Sequence, residues 1–145
     1  MLPDRAITLW QPWAWLVVNG YKLVENRPPG FAHKSFRGPV WIHTGLHFDD
    51  ERYDLAVRLL REIHPDVRMP PRTRFLDYPR GVIAGRVTFV DIIPPGKSGV
   101  PWHFEDEYGF VISDVVKLAR PVKCRGYQGI WTVPGETMDQ LRSAA

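Results

Sequence analysis

Residues 10–27, Trp10 to Arg27, read WQPWAWLVVNGYKLVENR, and the interpretation of the rest of the chain turns on this stretch. It combines apolar anchors, a helix with both start and stop signals, and three charges. Pro12 suits the first helical position, where its missing N–H costs nothing, and Gly20 suits the left-handed residue just past a helix end. Trp13–Asn19 therefore reads as one short helix, with Trp13, Leu16 and Val17 spaced to bury one face. Beyond Gly20 come the charged residues Lys22, Glu25 and Arg27. A regular strand would put Glu25 and Arg27 on one face and Lys22 on the other, so the three converge only if the chain turns near Leu23. Held at the end of a tryptophan-rich element, they would stand on a rigid base. The competing reading is a salt-bridged, solvated strand, which contributes little.

Working outward, Ile7, Thr8 and Leu9 form a β-prone run that enters this helix. Pro28-Pro29-Gly30 then breaks the chain into a loop carrying His33 and Lys34, read as a polar loop or as a phosphate contact. Val40–Thr44 alternates with period two, placing Trp41 and His43 on one face. The string HTGLH does not make a zinc pair of His43 and His47, because Gly45 removes the helix that would make them converge and no acid follows His43. No metal or cofactor is expected. Asp49 and Asp50 precede a helical pattern of Tyr53, Ala56, Val57, Leu60 and Ile63. Residues 65–80 hold four prolines and four arginines and read as a basic loop near the cleft mouth. Gly81–Ile93 has the pattern of a central strand covered on both faces. Tyr108–Val116 and Ile130–Val133 read as further strands joined by a basic connection, with a closing helix at Thr137–Arg142.

With 145 residues, 44% of them apolar, and no internal repeat, residues 1–145 are expected to form one domain with a sizeable core. No run is long enough to span a membrane and no charged-then-apolar leader is present, so no membrane partner and a cytoplasmic location are expected. The single Cys124 has no partner for a disulfide and reads as a small, half-buried side chain. The net charge of +3 is compatible with a polyanionic partner. Lys117, Arg120, Lys123 and Arg125 succeed one another without an intervening acid, while acids gather at 49–51 and 105–107, which suggests one positive face.

The leading stretch resembles the signature WQPWAxLxxxGxKxxExR of the ASCH domain (activating signal cointegrator homology), in the PUA-like superfamily of RNA-associated β-barrels. The resemblance continues, in order, through RGPVWIHTG, YPRGVIAGRVTFVDI, YGFVIS and GIWTVP, and so covers nearly the whole chain. It implies an α+β domain built on a small, mostly antiparallel PUA-like β-barrel with flanking helices. It also implies a cleft lined by the QPW helix and the element of Gly20, Lys22, Glu25 and Arg27, with nucleic acid as ligand.

Single-stranded RNA, or another single-stranded nucleic acid, is read by stacking unpaired bases on aromatic rings while cations hold the backbone. The candidate contacts are Trp10, Gln11, Trp13, Trp41, His43 and Trp131 for the bases, and Arg72, Arg74, Lys123 and Arg125 for the phosphates, although tryptophans are also core anchors. The alternative is an enzyme using Lys22, Glu25 and Arg27. A buried Lys22 close to Arg27 would have a depressed pKa and could act as a general base on a ribose 2′-hydroxyl, giving a metal-independent ribonuclease. ASCH-like amidohydrolases that deacetylate N4-acetylcytidine use the signature lysine, a threonine three residues on and a later acid. Lys22 matches, and Glu105 or Glu107 could supply the acid, but the threonine position holds Glu25, which lacks the hydroxyl.

Overall fold

The computed structural model describes residues 2–144. β1 (Arg5–Gln11) leads into α1 (Trp13–Val18) and the short strand β2 (Val24–Arg27); β3 (Gly38–Phe48) precedes α2 (Tyr53–Ile63) and α3 (Arg72–Phe75). β4 (Val82–Ile93), β5 (Tyr108–Lys123), β6 (Ile130–Thr132) and α4 (Gly135–Ala144) complete the chain. The strands hydrogen-bond in the order β2-β5-β4-β3-β1-β6, with β1 and β3 parallel and the other neighbouring pairs antiparallel.

The pleat assigns alternate side chains to two cores. Ile7, Val40, Ile42, Val87 and Phe89 pack with Ala14, Val17 and Val18 of α1, whereas Ala6, Trp41 and Ile83 pack with Met138 and Leu141 of α4. Both faces of the sheet are thus covered. A third cluster joins Trp13 and Leu16 of α1 to Ala56 and Leu60 of α2 and to Trp102.

The α+β class and the mostly antiparallel pairing agree with the sequence, but the expected barrel is an open sheet. β2 ends at Pro28-Pro29, which offer no N–H to extend a ladder, and β6 is only three residues long. Side chains span the gap instead. The Arg27 guanidinium donates to the Thr8 carbonyl of β1 at 2.9 Å, and His33 Nδ1 accepts the Ile130 N–H at 3.2 Å. His33 is therefore structural, as in the polar-loop reading.

Two further expectations are corrected. The basic stretch read as a connection is largely strand, because β5 continues through Lys123 in register with Val82. The arginine-rich segment before β4 contains α3, anchored by the buried Phe75 ring against Phe48 and Tyr53.

His43 ties three segments together. The Cys124 carbonyl can only accept, so Nε2 carries the proton and donates to it at 2.7 Å, leaving Nδ1 to accept from the Thr8 hydroxyl at 3.1 Å. Burial lowers the pKa of His43 from 6.5, its hydrogen bond to Cys124 opposing only part of that shift. Because the unfolded chain takes up this proton first, the stability that neutral His43 provides is present above 6.5 and is lost as pH falls beneath it. Urea unfolding should therefore show wild type losing more stability than His43→Gln between about pH 7 and about pH 5, the range of histidine titration. Equal losses would assign the proton uptake elsewhere.

Candidate functional site

The candidate site starts at the end of α1. The N-terminal turn of that helix is satisfied by Gln11, whose Oε1 accepts the Trp15 N–H at 2.8 Å. At the other end Gly20 adopts φ +80°, and the N–H groups of Tyr21 and Lys22 both return to the Leu16 carbonyl at 3.0 Å. That reversal puts Lys22 beneath the helix rather than along a strand. Leu23 then swings outward at 44% exposure before β2 begins, which is the turn the convergence required.

Lys22, only 2% exposed, donates through Nζ to the Val24 carbonyl at 2.5 Å and to Glu25 Oε1 at 3.5 Å. The other Glu25 oxygen accepts from Arg27 Nε at 3.0 Å, and the Lys22 ammonium lies 5.4 Å from the centroid of Trp13. Trp13 is itself fixed by its indole N–H, which donates to Asp49 Oδ2 at 2.8 Å. The result is a ladder in which one buried carboxylate is shared by two cations.

This ladder lines an open cleft of about 490 Å³ together with Trp10, Phe104 and Glu107. Its lining holds three basic residues, Lys22, Arg27 and Arg52, and three acidic ones, Glu25, Asp49 and Glu107, so its formal charges balance. Burial pushes the Lys22 ammonium below its usual pKa, an effect that Glu25 partly offsets. It pushes the Glu107 carboxyl up, against the pull of Arg52, and Glu107 Oε2 is buried without a hydrogen-bond partner. An acid and a base with pKa values driven toward one another in a single cleft form the kind of pair that can move a proton.

Six residues singled out from the sequence meet here: Trp10, Trp13, Lys22, Glu25, Arg27 and Glu107. Others lie elsewhere. Gln11 is committed to capping α1. Trp41 is fully buried under α4 with its indole N–H donating to the Pro3 carbonyl, and Trp131 is buried beside it, so neither presents a face to a base. His43 is enclosed by the bonds described above. Arg72 lies over the Tyr53 ring and pairs with Asp50 and Asp54, and Arg74 is exposed on α3 away from the cleft. Lys123 is exposed at the end of β5, and Arg125 lines a separate recess.

Arg52, Phe104 and Asn26 were not visible as site residues. Asn26 is half-buried between Glu25 and Arg27 and holds the segment bearing Phe104, accepting the Phe104 N–H at 2.9 Å and donating to the Trp102 carbonyl at 2.9 Å. Of the two acids considered for a later role, Glu107 lines the cleft and Glu105 does not.

No family model and no curated protein matches the chain. Solved structures do. The crystal structure of ASCH from Zymomonas mobilis superposes with a TM-score of 0.51 at 16% identity, over 96% of this chain and 93% of that one. Two point-substituted variants of the same protein give 0.53 at 17% identity, over 98% of each chain, and 0.51 at 16% identity, over 96% of each. The chain has the ASCH fold.

If Glu25 holds both cations, Glu25→Gln strands the buried Lys22 charge and should cost about 3–5 kcal/mol in denaturant unfolding. The double variant Lys22→Met/Glu25→Gln should lose clearly less than the sum of the two single losses. Simple additivity would mean that the ladder is not energetically coupled.

Proposed function

We propose that the cleft binds one unpaired nucleotide of a single-stranded nucleic acid, RNA in the first instance. The observation that carries this reading is the pairing of an aromatic wall with a balanced set of donors and acceptors in about 490 Å³ of open space. A volume of that order suits a small ligand, within the roughly 300–1,000 Å³ typical of such pockets. Trp10, 48% exposed, offers a face on which a base can stack, and Glu25, Arg27 and Glu107 offer donors and acceptors to its edge. A recess admits a base only when that base is unpaired. The cationic groups that reach the rim, Arg27 and Arg52, suit the attached phosphate.

A second reading, a metal-independent ribonuclease, is favoured by the opposed shifts of Lys22 and Glu107. Lys22 would take the proton of a 2′-hydroxyl as it attacks the adjacent phosphorus, and protonated Glu107 would return one to the departing 5′-oxygen. Deacetylation of N4-acetylcytidine is less well served, since Glu25 stands where a hydroxyl nucleophile is needed.

Tryptophan fluorescence titration with short single-stranded and double-stranded RNA tests the binding. Single strands should bind and duplexes should not, and Trp10→Ala should weaken binding by about 5- to 150-fold, the loss of one base stack. The logarithm of affinity should fall with the logarithm of salt at a slope of about −0.7 per phosphate contacted, and a flat plot would remove the phosphate from the proposal. Labelled single-stranded RNA and acetylated cytidine incubated with EDTA separate module from enzyme. Turnover that rises with pH and vanishes in Lys22→Arg, whose guanidinium cannot give up a proton, would establish Lys22 as a base. Binding without turnover of either substrate leaves the module.

A further inference from the structure

On the far side of Trp10 lies a second recess of about 400 Å³. Thr8 and Trp10 line both spaces, so the two adjoin along β1. Their chemistry differs. The first cleft balances three cations with three carboxylates, whereas the second is lined by one cation, Arg125, and no carboxylate. It also carries large apolar side chains in the open: Leu46 is 70% exposed, and Tyr127, with the Arg125 guanidinium 5.3 Å from its ring centroid, is 49% exposed. The His47 ring lies 5.3 Å from that of Trp10.

The floor of this recess is shaped by missing side chains. A Cβ on Gly126 would stand 2.5 Å from His43 Cε1, and one on Gly45 would stand 3.1 Å from Trp10 Cδ1. Glycine at 126 lets the backbone close over His43, and glycine at 45 leaves room for the Trp10 ring.

We propose that this recess is a second nucleotide subsite, holding the phosphate and base next to the nucleotide in the first cleft. The proposal rests on the nucleotide reading of that cleft. Three observations favour nucleic acid over other occupants: the recess adjoins the nucleotide cleft, its one Lys, Arg, Asp or Glu lining residue is the cation Arg125, and its exposed rings are sequence-tolerant stacking faces backed by that arginine. Trp10 stands between the two bases and presents an edge or face to each. The functional ligand is then at least a dinucleotide, and a free nucleoside fills half of the site.

Isothermal titration of the intact chain with the four ribonucleosides and with the homodinucleoside monophosphates ApA, CpC, GpG and UpU tests this. At least one dinucleotide should bind about tenfold or more tightly than its nucleoside, the scale of one added stack and phosphate contact. Tyr127→Ala should remove that gain and leave nucleoside affinity unchanged. Leu46→Glu, an exposed change that sets a carboxylate beside the phosphate, should do the same without depending on the packing of Tyr127. Equal affinities for nucleoside and dinucleotide overturn the second subsite while the first cleft stands. A gain that survives both substitutions overturns it as well, by placing the second nucleotide elsewhere. Failure of every nucleoside and dinucleotide to bind removes the nucleotide reading of the first cleft, and the second subsite with it.

Discussion

A single buried carboxylate organises this molecule. Glu25 is 6% exposed and accepts from Lys22 on one side and Arg27 on the other. Taking one such charge out of water is unfavourable by several kcal/mol, and two cations with fixed donors offset it only when their geometry is held. The geometry is held by the fold. Lys22 is placed by the reversal at Gly20, and Arg27 is oriented by its second bond, to the Thr8 carbonyl. That bond also stands in for a missing ladder, tying edge strand β2 to β1 across the opening of the sheet. The same side chains therefore close the structure and line its principal cleft.

This sharing constrains the chemistry. A site selected only to hold phosphate would be expected to carry a surplus of cations, yet Lys22, Arg27 and Arg52 are matched by Glu25, Asp49 and Glu107. On the proposed reading, balanced charge in a small recess suits hydrogen bonds to the edge of a neutral ring, and phosphate contacts fall to the rim and to the recess beyond Trp10, whose lining holds no carboxylate. The small net charge of +3 is consistent with such local recognition. The basic face inferred from residues 117–125 is spread along β5 and beyond it, and Lys117 there bonds to Asn19 at the C-terminal end of α1 rather than lining the cleft. Among the described residues no helix is long and apolar enough to cross a membrane.

The features legible in the sequence were local. Pro12 and Gly20 marked the ends of α1 to within a residue, because helix caps and glycine reversals are set by neighbours in the chain. The strands starting near Ile7, Val40, Gly81, Tyr108 and Ile130 were all visible as β-prone runs. The roles of the tryptophans were not. Trp10, Trp13, Trp41 and Trp131 look alike in one dimension, and only the cover that α4 gives to one face of the sheet buries Trp41 and Trp131 while Trp10 stays open. Closing the expected barrel would require β2 and β6, from the first and last thirds of the chain, to pair, and periodicity does not report that they stay apart. Glu107 and Phe104 reach the cleft on a segment that Asn26 grips from nearly eighty positions away.

The position of Trp10 is set by β1 itself. Ile7 and Leu9 point into the core beneath α1, so Thr8 is directed to the other face of the strand. Between Leu9 and Gln11 the pairing with β3 slips, and Trp10 sits at that irregularity, on the same side of the strand as Thr8. Gly45 on β3 leaves the space into which the ring turns. Thr8, two residues earlier, lines both recesses beside it, accepting from Arg27 at its carbonyl and from the Trp131 indole N–H at its hydroxyl, which in turn donates to His43 Nδ1. One irregular strand, buttressed from both sides through Thr8, thereby supplies the common wall of both sites.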